Sequence, residues 1–585
     1  MVHIGIDIGT SNTVVALANP GGEPEVRRIK DNALVPSLIA VAEQGGHVMA
    51  GVDAVDEWAN SDQESVGIFR RWKLRMGEGE VLRTMRFGGT ASTPVEITPE
   101  WLTTRLVEHV LSEVAGGVGG ETVDSVLITV PHGWRRDSPE KCQATRQAAA
   151  SAIVNGKKVD VQRTTVSEPV AAAVYWLWQA KHDGADLDFA GKHILVCDVG
   201  GGTLDLSLVR VGADDEPLTV VDAINNNYAG DFATALLMAR AAKQYNNENG
   251  TSLPTDAEEI LRQLGDEPIA QLRSWFVDLQ TMQKEMSTRI AAALRRNQQP
   301  TQKKRVVLED PDNGMSFSLT AHEFIETLEP FYAHGRELVR SFLSGHRGSA
   351  PYAVVFAGGG SRIHGVSGRI AGAALQDIYG GAADGAMRRI QINDNKIDQA
   401  IALGAALVAS GTVKVEERLL CDIGLEGTLD ESLAAELNAK AGVPMLLMPI
   451  LRRGSKLPAT FSSEDYKFDV AVKGGESLDF TIVIDDDPDE PWNQRWKVDV
   501  PSSTGHHQCS VDVSADPDGV LEVTLRYIDG FQTNIKGRLS RERSGRSKLL
   551  FRGQNPGGLA QEDRQRITPE QFVSAMTALR TGRRD

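Results

Sequence analysis

Cysteine is scarce: Cys142, Cys197, Cys421 and Cys509 are the whole complement, with no CxxC pair and no metal-ligand spacing. Buried or bystander thiols in a reducing compartment are the expectation from that pattern. No apolar run reaches about 18 residues, so no membrane span is expected. Positive charge is in deficit, since 62 Lys and Arg face 79 Asp and Glu for a formal net charge of −17. Neutralising phosphates requires a net basic face, so general binding to nucleic acid or to an acidic membrane is not expected, and partners should be neutral or basic. No GxxxxGK[ST] occurs, and no GxGxxG lies between a strand and a helix, so neither a P-loop nor a Rossmann site is present. The stretch from Val2 to Ile8 already alternates toward Asp7 and leaves no room for a signal peptide; a cytoplasmic location is the expectation by elimination.

What the chain does have is a matched pair of stretches. Ile4-Gly5-Ile6-Asp7-Ile8-Gly9-Thr10-Ser11-Asn12-Thr13 and Leu195-Val196-Cys197-Asp198-Val199-Gly200-Gly201-Gly202-Thr203-Leu204-Asp205 each read as an apolar strand, an aspartate, a Gly/Thr turn and a second strand. Such a turn points backbone N–H groups outward with no side chain in the way, and so can cradle a phosphate. With 57 glycines in the chain, either turn alone reads equally well as an ordinary hairpin. The pair, matched in order, points to two turns gripping a polyphosphate from both sides, with Asp7 and Asp198 left to hold hydrated Mg²⁺ between them.

At 585 residues the chain exceeds what one core usually holds, and two or more domains are expected. From residue 1 to about 412, short β-rich runs alternate with longer helical ones, an α/β pattern. Ser138 to Ile153 reads as a helix with Ser138 as N-cap and Pro139 at N1; Glu168 opens another. Phe232 to Asn247 and Ile269 to Arg296 have helical spacing, and Pro351 to Arg362 is a strand entering a third glycine turn. Residues 413–423 read as an interdomain connection, and Leu433 to Lys440 as a brief helix. Residues 424–553 form a β-rich module, with turn signals at Arg453-Gly454 and Asp516-Pro517-Asp518-Gly519. The acidic run Asp485 to Glu490 lacks the glycine and terminal glutamate of a Ca²⁺ loop and reads as solvated. Residues 554–585 form a short polar tail with one helix expected from Pro569 to Arg580.

These residues resemble the Hsp70 family on the actin-like ATPase fold, and the likeness is spread over the whole first domain. Val35-Pro36-Ser37, Trp72 to Gly77 around Lys73, Ile128-Thr129-Val130-Pro131, Glu168-Pro169-Val170-Ala171-Ala172-Ala173, Gly358-Gly359-Gly360-Ser361-Arg362-Ile363 and Asp398 to Ala406 all look like family segments, in family order. The resemblance implies a two-lobed α/β ATPase domain followed by a β-sandwich domain of the substrate-binding type. It implies ATP or ADP with Mg²⁺, and K⁺ as a further cation. Lys73, Glu168, Asp198, Thr203 and Asp205 would be the catalytic group: Lys73 by the γ-phosphate, Glu168 and Asp205 as acids near the attacking water, Thr203 and Thr10 as hydroxyl donors. Asp7, Gly9, Thr10, Ser11, Asn12, Gly200, Gly201, Gly202 and Gly230 would hold the phosphates, Asp7 and Asp198 the Mg²⁺ through water. Gly358, Gly359, Gly360 and Arg362 would hold adenosine, with Asp398 supporting the pocket and Gln280, Gln283, Lys284 and Ser287 facing it.

The chain departs from the family in that last group. Gln280 and Gln283 replace the charged pair expected at the ribose, and Lys284 replaces a stacking arginine, whose planar fork lysine lacks. The glycine-acid segment is shortened to Tyr228-Ala229-Gly230-Asp231-Phe232, the connection after residue 412 is less apolar, and about 30 residues after the β module are too few for a helical lid. The expectation is therefore an Hsp70-like chaperone that couples ATP binding and hydrolysis to binding and release of unfolded or dedicated polypeptide, assisted by a J-domain protein and an exchange factor. A nucleotide-locked binding module or co-chaperone with little turnover is the alternative. An actin-like filament protein or a sugar kinase would leave the β module unexplained.

Overall fold

The computed structural model describes residues 2–575 apart from 43–45, 56–65, 88–92, 118–122, 163, 185–187, 214–216, 265–269, 301–302, 309–314, 382–384, 387–395, 417, 420, 429–430, 439–443, 464–467, 473–476, 486–491, 518–519, 539–564, 569 and 572–573. It divides into two compact units, one of Met1–Gly133 with Lys141–Val415 and the other of Trp134–Glu140 with Glu416–Asp585.

The first unit is built on two sheets. One contains β1 (Val2–Ile8), β2 (Asn12–Ala18), β3 (Glu25–Arg27), β4 (Val35–Pro36), β5 (Val123–Val130) and β6 (Val166–Ser167), in the order β6-β5-β1-β2-β3 with β4 against β2. The other contains β7 (His193–Val199), β8 (Leu204–Arg210), β9 (Thr219–Asn226) and β10 (Ala353–Ala357), in the order β9-β8-β7-β10. In each sheet the central strand pairs antiparallel with its hairpin partner and parallel with a later strand: β1 with β2 and β5, β7 with β8 and β10. Central strands covered on both faces read as nearly unbroken apolar runs, and in β7 the consecutive Ile194, Leu195, Val196 and Cys197 are all buried.

Four helices position the site: α1 (Glu168–His182), α2 (Gly230–Asn249), α3 (Ala270–Arg295) and α4 (Ala400–Ala409). A helix apolar all round must be covered all round, and α4, with sequence AIALGAALVA, packs on α1, β1 and β2, while α1 also meets β7 and β10. The two helices thereby join the sheets through one apolar cluster that includes Val14, Ala16, Ala171, Ile194, Val196 and Ala402. Small residues permit this approach. A Cβ on Gly404 would fall 1.8 Å from the carbonyl oxygen of Ala171, and one on Gly5 would fall 2.4 Å from the Ala406 nitrogen.

The second unit is mostly β. One sheet runs Trp492–Val498, Leu478–Asp485, Asp422–Thr428, Pro444–Leu451, Gln565–Ile567; the other runs Ala459–Ser462, Gly505–Ala515, Val520–Tyr527, Gln532–Arg538, with Phe468–Val472 also on Gly505–Ala515. Leu425, Leu447, Ile482, Val511, Val513 and Val523 share its core.

Several local expectations take a different form. Within the run read as a connection, Leu419 and Cys421 are buried in the second unit's core and Asp422 already begins a strand, while Glu417 and Leu420 lie outside the described residues. The brief helix spans Glu431–Glu436 rather than starting at Leu433. The polar tail supplies a strand, Gln565–Ile567, parallel to Met445–Leu447, with Ile567 and Ala575 buried. Helical residues follow it at 570–571 and 574–575, and the remainder of the expected tail helix, like Asp486 to Glu490, lies outside the described residues. All four cysteines are buried and none is in a disulfide. Among the described residues no helix is long and apolar enough to cross a membrane.

The α1–α4 contact leaves no space for a methyl group, so Gly404→Ala is expected to cost about 1–3 kcal/mol by overpacking. Urea unfolding followed by circular dichroism should show a lowered midpoint, whereas Gly348→Ala, where nothing lies within 4 Å, should leave it unchanged.

Candidate functional site

The two matched stretches form the same turn twice. Gly9 N–H donates to the Asn12 carbonyl at 3.0 Å, and Gly200 N–H donates to the Thr203 carbonyl at 2.9 Å. Asp7 and Asp198 each stand one residue before the end of the leading strand, paired across the hairpin with Val14 and Asp205. Neighbouring segments brace the first turn: Ser37 donates its N–H to the Ser11 carbonyl (2.9 Å) and its hydroxyl to the Gly9 carbonyl (2.7 Å), and Thr129 Oγ1 donates to Asp7 Oδ1 (3.0 Å). These bonds give Val35-Pro36-Ser37 and Ile128-Thr129-Val130-Pro131 their reason for being where they are. The second turn is braced by the N-terminus of α2, where Gly230 and Asp231 donate N–H groups to the Gly200 and Gly201 carbonyls at 3.0 and 2.8 Å.

Lys73 rides on a short 3₁₀ turn, Trp72–Arg75, just after the strand Val66–Arg70. Trp72 is buried beneath that turn and donates its indole N–H to Thr103 Oγ1 at 3.1 Å. The ammonium of Lys73 pairs with Glu168 Oε1 at 2.6 Å, both side chains buried. Glu168 opens α1, with Pro169 behind it, where an acid suits the helix dipole. At an effective dielectric of about 20 such a pair gains about 6 kcal/mol. Burying each ion costs several kcal/mol, so the pair adds little to stability and matters for what it presents to the space around it.

That space is a cavity of about 400 Å³, within the range of small-molecule sites. Its walls include Asp7, Gly9, Thr10, Ser11 and Asn12 from the first turn, Asp198, Gly200, Gly201 and Thr203 from the second, and Lys73, Glu168 and Gly230. Gln280, Gln283, Lys284 and Ser287 reach it from one face of α3, at the i, i+3, i+4 and i+7 spacing that puts side chains in a row. Gly358, Gly359, Gly360, Arg362 and Asp398 complete it, Arg362 donating to Asp398 through Nη2 (3.1 Å) and Nε (3.3 Å). Gly358 has φ +77°, and a Cβ there would lie 2.4 Å from Asp198 Oδ1, so only glycine fits. Ser287 Oγ accepts from His364 N–H at 3.0 Å, while Gln283 is buried with no hydrogen bond to its Nε2.

Of the expected residues, only Gly202 and Asp205 are off the cavity wall. Gly202 packs against Thr10, and Asp205 lies across the hairpin from Asp198. Asp231, Val14, Leu34, Ile363 and Ile401 also line the cavity. Asp231 sat in the shortened glycine-acid segment and was legible there; the apolar four carry no signal beyond their strand and helix patterns.

Negative charge dominates the interior. Asp7 and Asp205 are both pushed up to about 7, first by burial and then by the charge of Glu168. Asp198 is raised for the same reasons, with Asp205 and Asp7 adding to them. Burial pulls Lys73 down, but Glu168, Asp7 and Asp205 outweigh it and hold the ammonium above its ordinary value. Asp198 Oδ1 has no hydrogen-bond partner. No group of three or more metal-ligating side chains occurs among the described residues.

A carboxyl with its folded pKa above its unfolded one binds more protons in the native state between the two values. The contribution of Asp7 and Asp205 to stability therefore falls as pH rises from 3.8 to about 7. Asp205→Asn is expected to flatten that decline and to unfold at higher urea than the wild type at about pH 8, the gap closing toward about pH 4. Urea midpoints across this range, read by circular dichroism, provide the check.

The chain matches the family model of Hsp70 protein over residues 3–545. The Chaperone protein DnaK of Deinococcus radiodurans is 25% identical over 548 residues, covering 89% of this chain and 77% of that relative. The Chaperone protein DnaK of Deinococcus proteolyticus is 25% identical over 546 residues, covering 89% of this chain and 76% of that relative. The match to the Chaperone protein DnaK of Thermotoga neapolitana is 27% identical over 262 residues and spans 44% of this chain but only 39% of that relative's length. Pairwise identity is low throughout, but the family model runs through both units, and the chain belongs to the Hsp70 family.

Proposed function

We propose that this protein is an ATP-driven chaperone, in which the first unit is a two-lobed actin-like ATPase domain and the second a β-sandwich that binds unfolded or dedicated polypeptide. The observation that carries this reading is the buried Lys73–Glu168 pair at 2.6 Å on the wall of a cavity bounded by two phosphate-type turns. Backbone N–H groups at Thr10 to Asn12 and Gly201 to Thr203, with the hydroxyls of Thr10 and Thr203, bind phosphate oxygens, the Gly9 and Gly200 N–H groups being used to close the turns. Mg²⁺ fits the chemistry of the site: four buried carboxylates face one ammonium, and Asp198 Oδ1 has no partner of its own. When bound it would offset phosphate charge, held through water by Asp7 and Asp198. Lys73 orients the attacking water and stabilises charge in the transition state. Asp205, raised to about 7, is poised to take up a proton near neutrality.

Nucleotide state acts on polypeptide binding through differential affinity for two conformations, by way of residues 413–423. A J-domain protein and an exchange factor are the partners such a cycle uses, in a reducing cytoplasm. On the adenosine side, Gln280 and Gln283 offer neutral amides and Lys284 offers no planar face, which supports weaker nucleotide affinity than in a typical family member. The second reading, a nucleotide-locked module with little turnover, draws on the less apolar connection after residue 412 together with the unusual adenosine face.

Single-turnover hydrolysis of Mg-ATP by the purified chain, with and without an unfolded peptide, separates the two. Slow hydrolysis that peptide accelerates and Lys73→Ala abolishes is the expected result, a loss of at least about a hundredfold. Nucleotide binding without Lys73-dependent turnover would leave the locked module.

A further inference from the structure

Two residues before Lys73, Arg71 has left-handed backbone, φ 59° and ψ 12°. For a residue other than glycine this is an uncommon and strained conformation, kept where the surroundings impose it. Its guanidinium is directed at Asp231 in the first turn of α2, with Nη1 3.5 Å from Asp231 Oδ2. That contact is an ion pair without a hydrogen bond: Nη1 is buried and has no acceptor, and Asp231 Oδ1 is buried and has no donor. An ion pair serving only to brace the fold would satisfy these groups, because an unmade buried hydrogen bond is costly.

Location gives the mismatch a use. Asp231 lines the cavity; Arg71 is not itself on the wall and pairs with the Asp231 carboxylate from behind it, so it would reach a ligand only by extending past that carboxylate. A Cβ on Gly201 would lie 3.2 Å from Asp231 Oδ1 and 2.2 Å from Ser11 Oγ, so the carboxylate sits where the two turns face each other. An incoming anion at that point is repelled by Asp231 and attracted by Arg71. A guanidinium also presents the fork geometry that fits phosphate oxygens, and its Nη1 has no hydrogen bond to give up.

We propose that Arg71 is a specificity-determining residue that favours a nucleoside triphosphate over a diphosphate, donating to the terminal phosphate from its station beside Asp231. The inference rests on the nucleotide reading of the cavity. Asp231 offsets the charge of the arginine while no terminal phosphate is present; the left-handed backbone, not the carboxylate, directs the side chain toward α2 while Lys73 faces Glu168.

The test is isothermal titration of the full chain, in Mg²⁺, with ADP and with the β,γ-imido analogue of ATP. Arg71→Ala is expected to weaken the triphosphate analogue about tenfold, the loss of one charge-assisted hydrogen bond, and ADP by no more than about twofold. Arg71→Lys should recover part of the preference, and Asp231→Asn, which removes the repelling carboxylate, should not weaken the triphosphate. Equal losses for both nucleotides, no loss for either, or the same selective loss in Asp231→Asn would overturn the assignment. Should Arg71→Ala fail to fold, Arg71→Lys decides, since a preference equal to that of the wild type also overturns it. A wild-type chain that binds neither nucleotide defeats the nucleotide reading itself.

Discussion

One ammonium set among four buried carboxylates is the constraint around which the first unit is organised. Asp7, Glu168, Asp198 and Asp205 come from four different elements, and Lys73 from a fifth, yet all are nearly sealed from water. Burial first, and then the charge of Glu168 and its neighbours, raises the proton affinity of Asp7, Asp198 and Asp205. A single lysine cannot balance the group. Protons at low pH or a cation at higher pH would complete the balance, which is the electrostatic reason the proposed metal–phosphate ligand suits this site.

Holding the acids in place falls to close backbone packing. Glu168 is the first residue of α1, and α1 meets α4 where Gly404 lies against Ala171, so a shift of α4 would carry Glu168 with it. On the other side of α4, Gly5 of β1 meets the Ala406 backbone, two residues before Asp7. One helix pair therefore sets the spacing between the first turn and Glu168, while β7 and β10, packed on α1, set that of Asp198. Interiors this dense move in discrete steps rather than by gradual deformation, which suits the two-state cycle proposed above.

Much of this was legible in the sequence, for physical reasons that differ by residue. Asp7 and Asp198 could be read because each ends an apolar strand before a glycine turn, a local pattern. Lys73 could not be read locally: it is one of 62 basic residues, and only the likeness to a family singled it out. Its burial depends on Trp72 and Thr103 meeting across about thirty residues of chain, which no local pattern encodes. Arg71 was passed over because a left-handed backbone at arginine has no sequence signature, unlike one at glycine. The strand Gln565–Ile567 was missed because its polar composition reads as tail; pairing to Pro444–Leu451 overrides propensity there, and Ile567 is buried.

The two ends of the cavity are built to different standards. At the end proposed for the phosphates, turns, hydroxyls, Lys73 and the acids converge, and the acids outnumber the one ammonium, with Asp198 Oδ1 left without a partner. At the other end, α3 offers Gln280, Gln283 and Lys284, and the buried Gln283 amide has no partner for its N–H. Binding energy from parts of a ligand remote from the reacting bond is what normally holds it in place during reaction. With less available from the base and sugar, the grip must come more from phosphate and metal, the groups whose affinity depends on the ionisation of Asp7, Asp198 and Asp205. On the nucleotide reading proposed above, affinity measured by titration should therefore track pH and Mg²⁺ more steeply than in a relative with a charged pair at the sugar, because a larger share of the grip rests on groups that titrate.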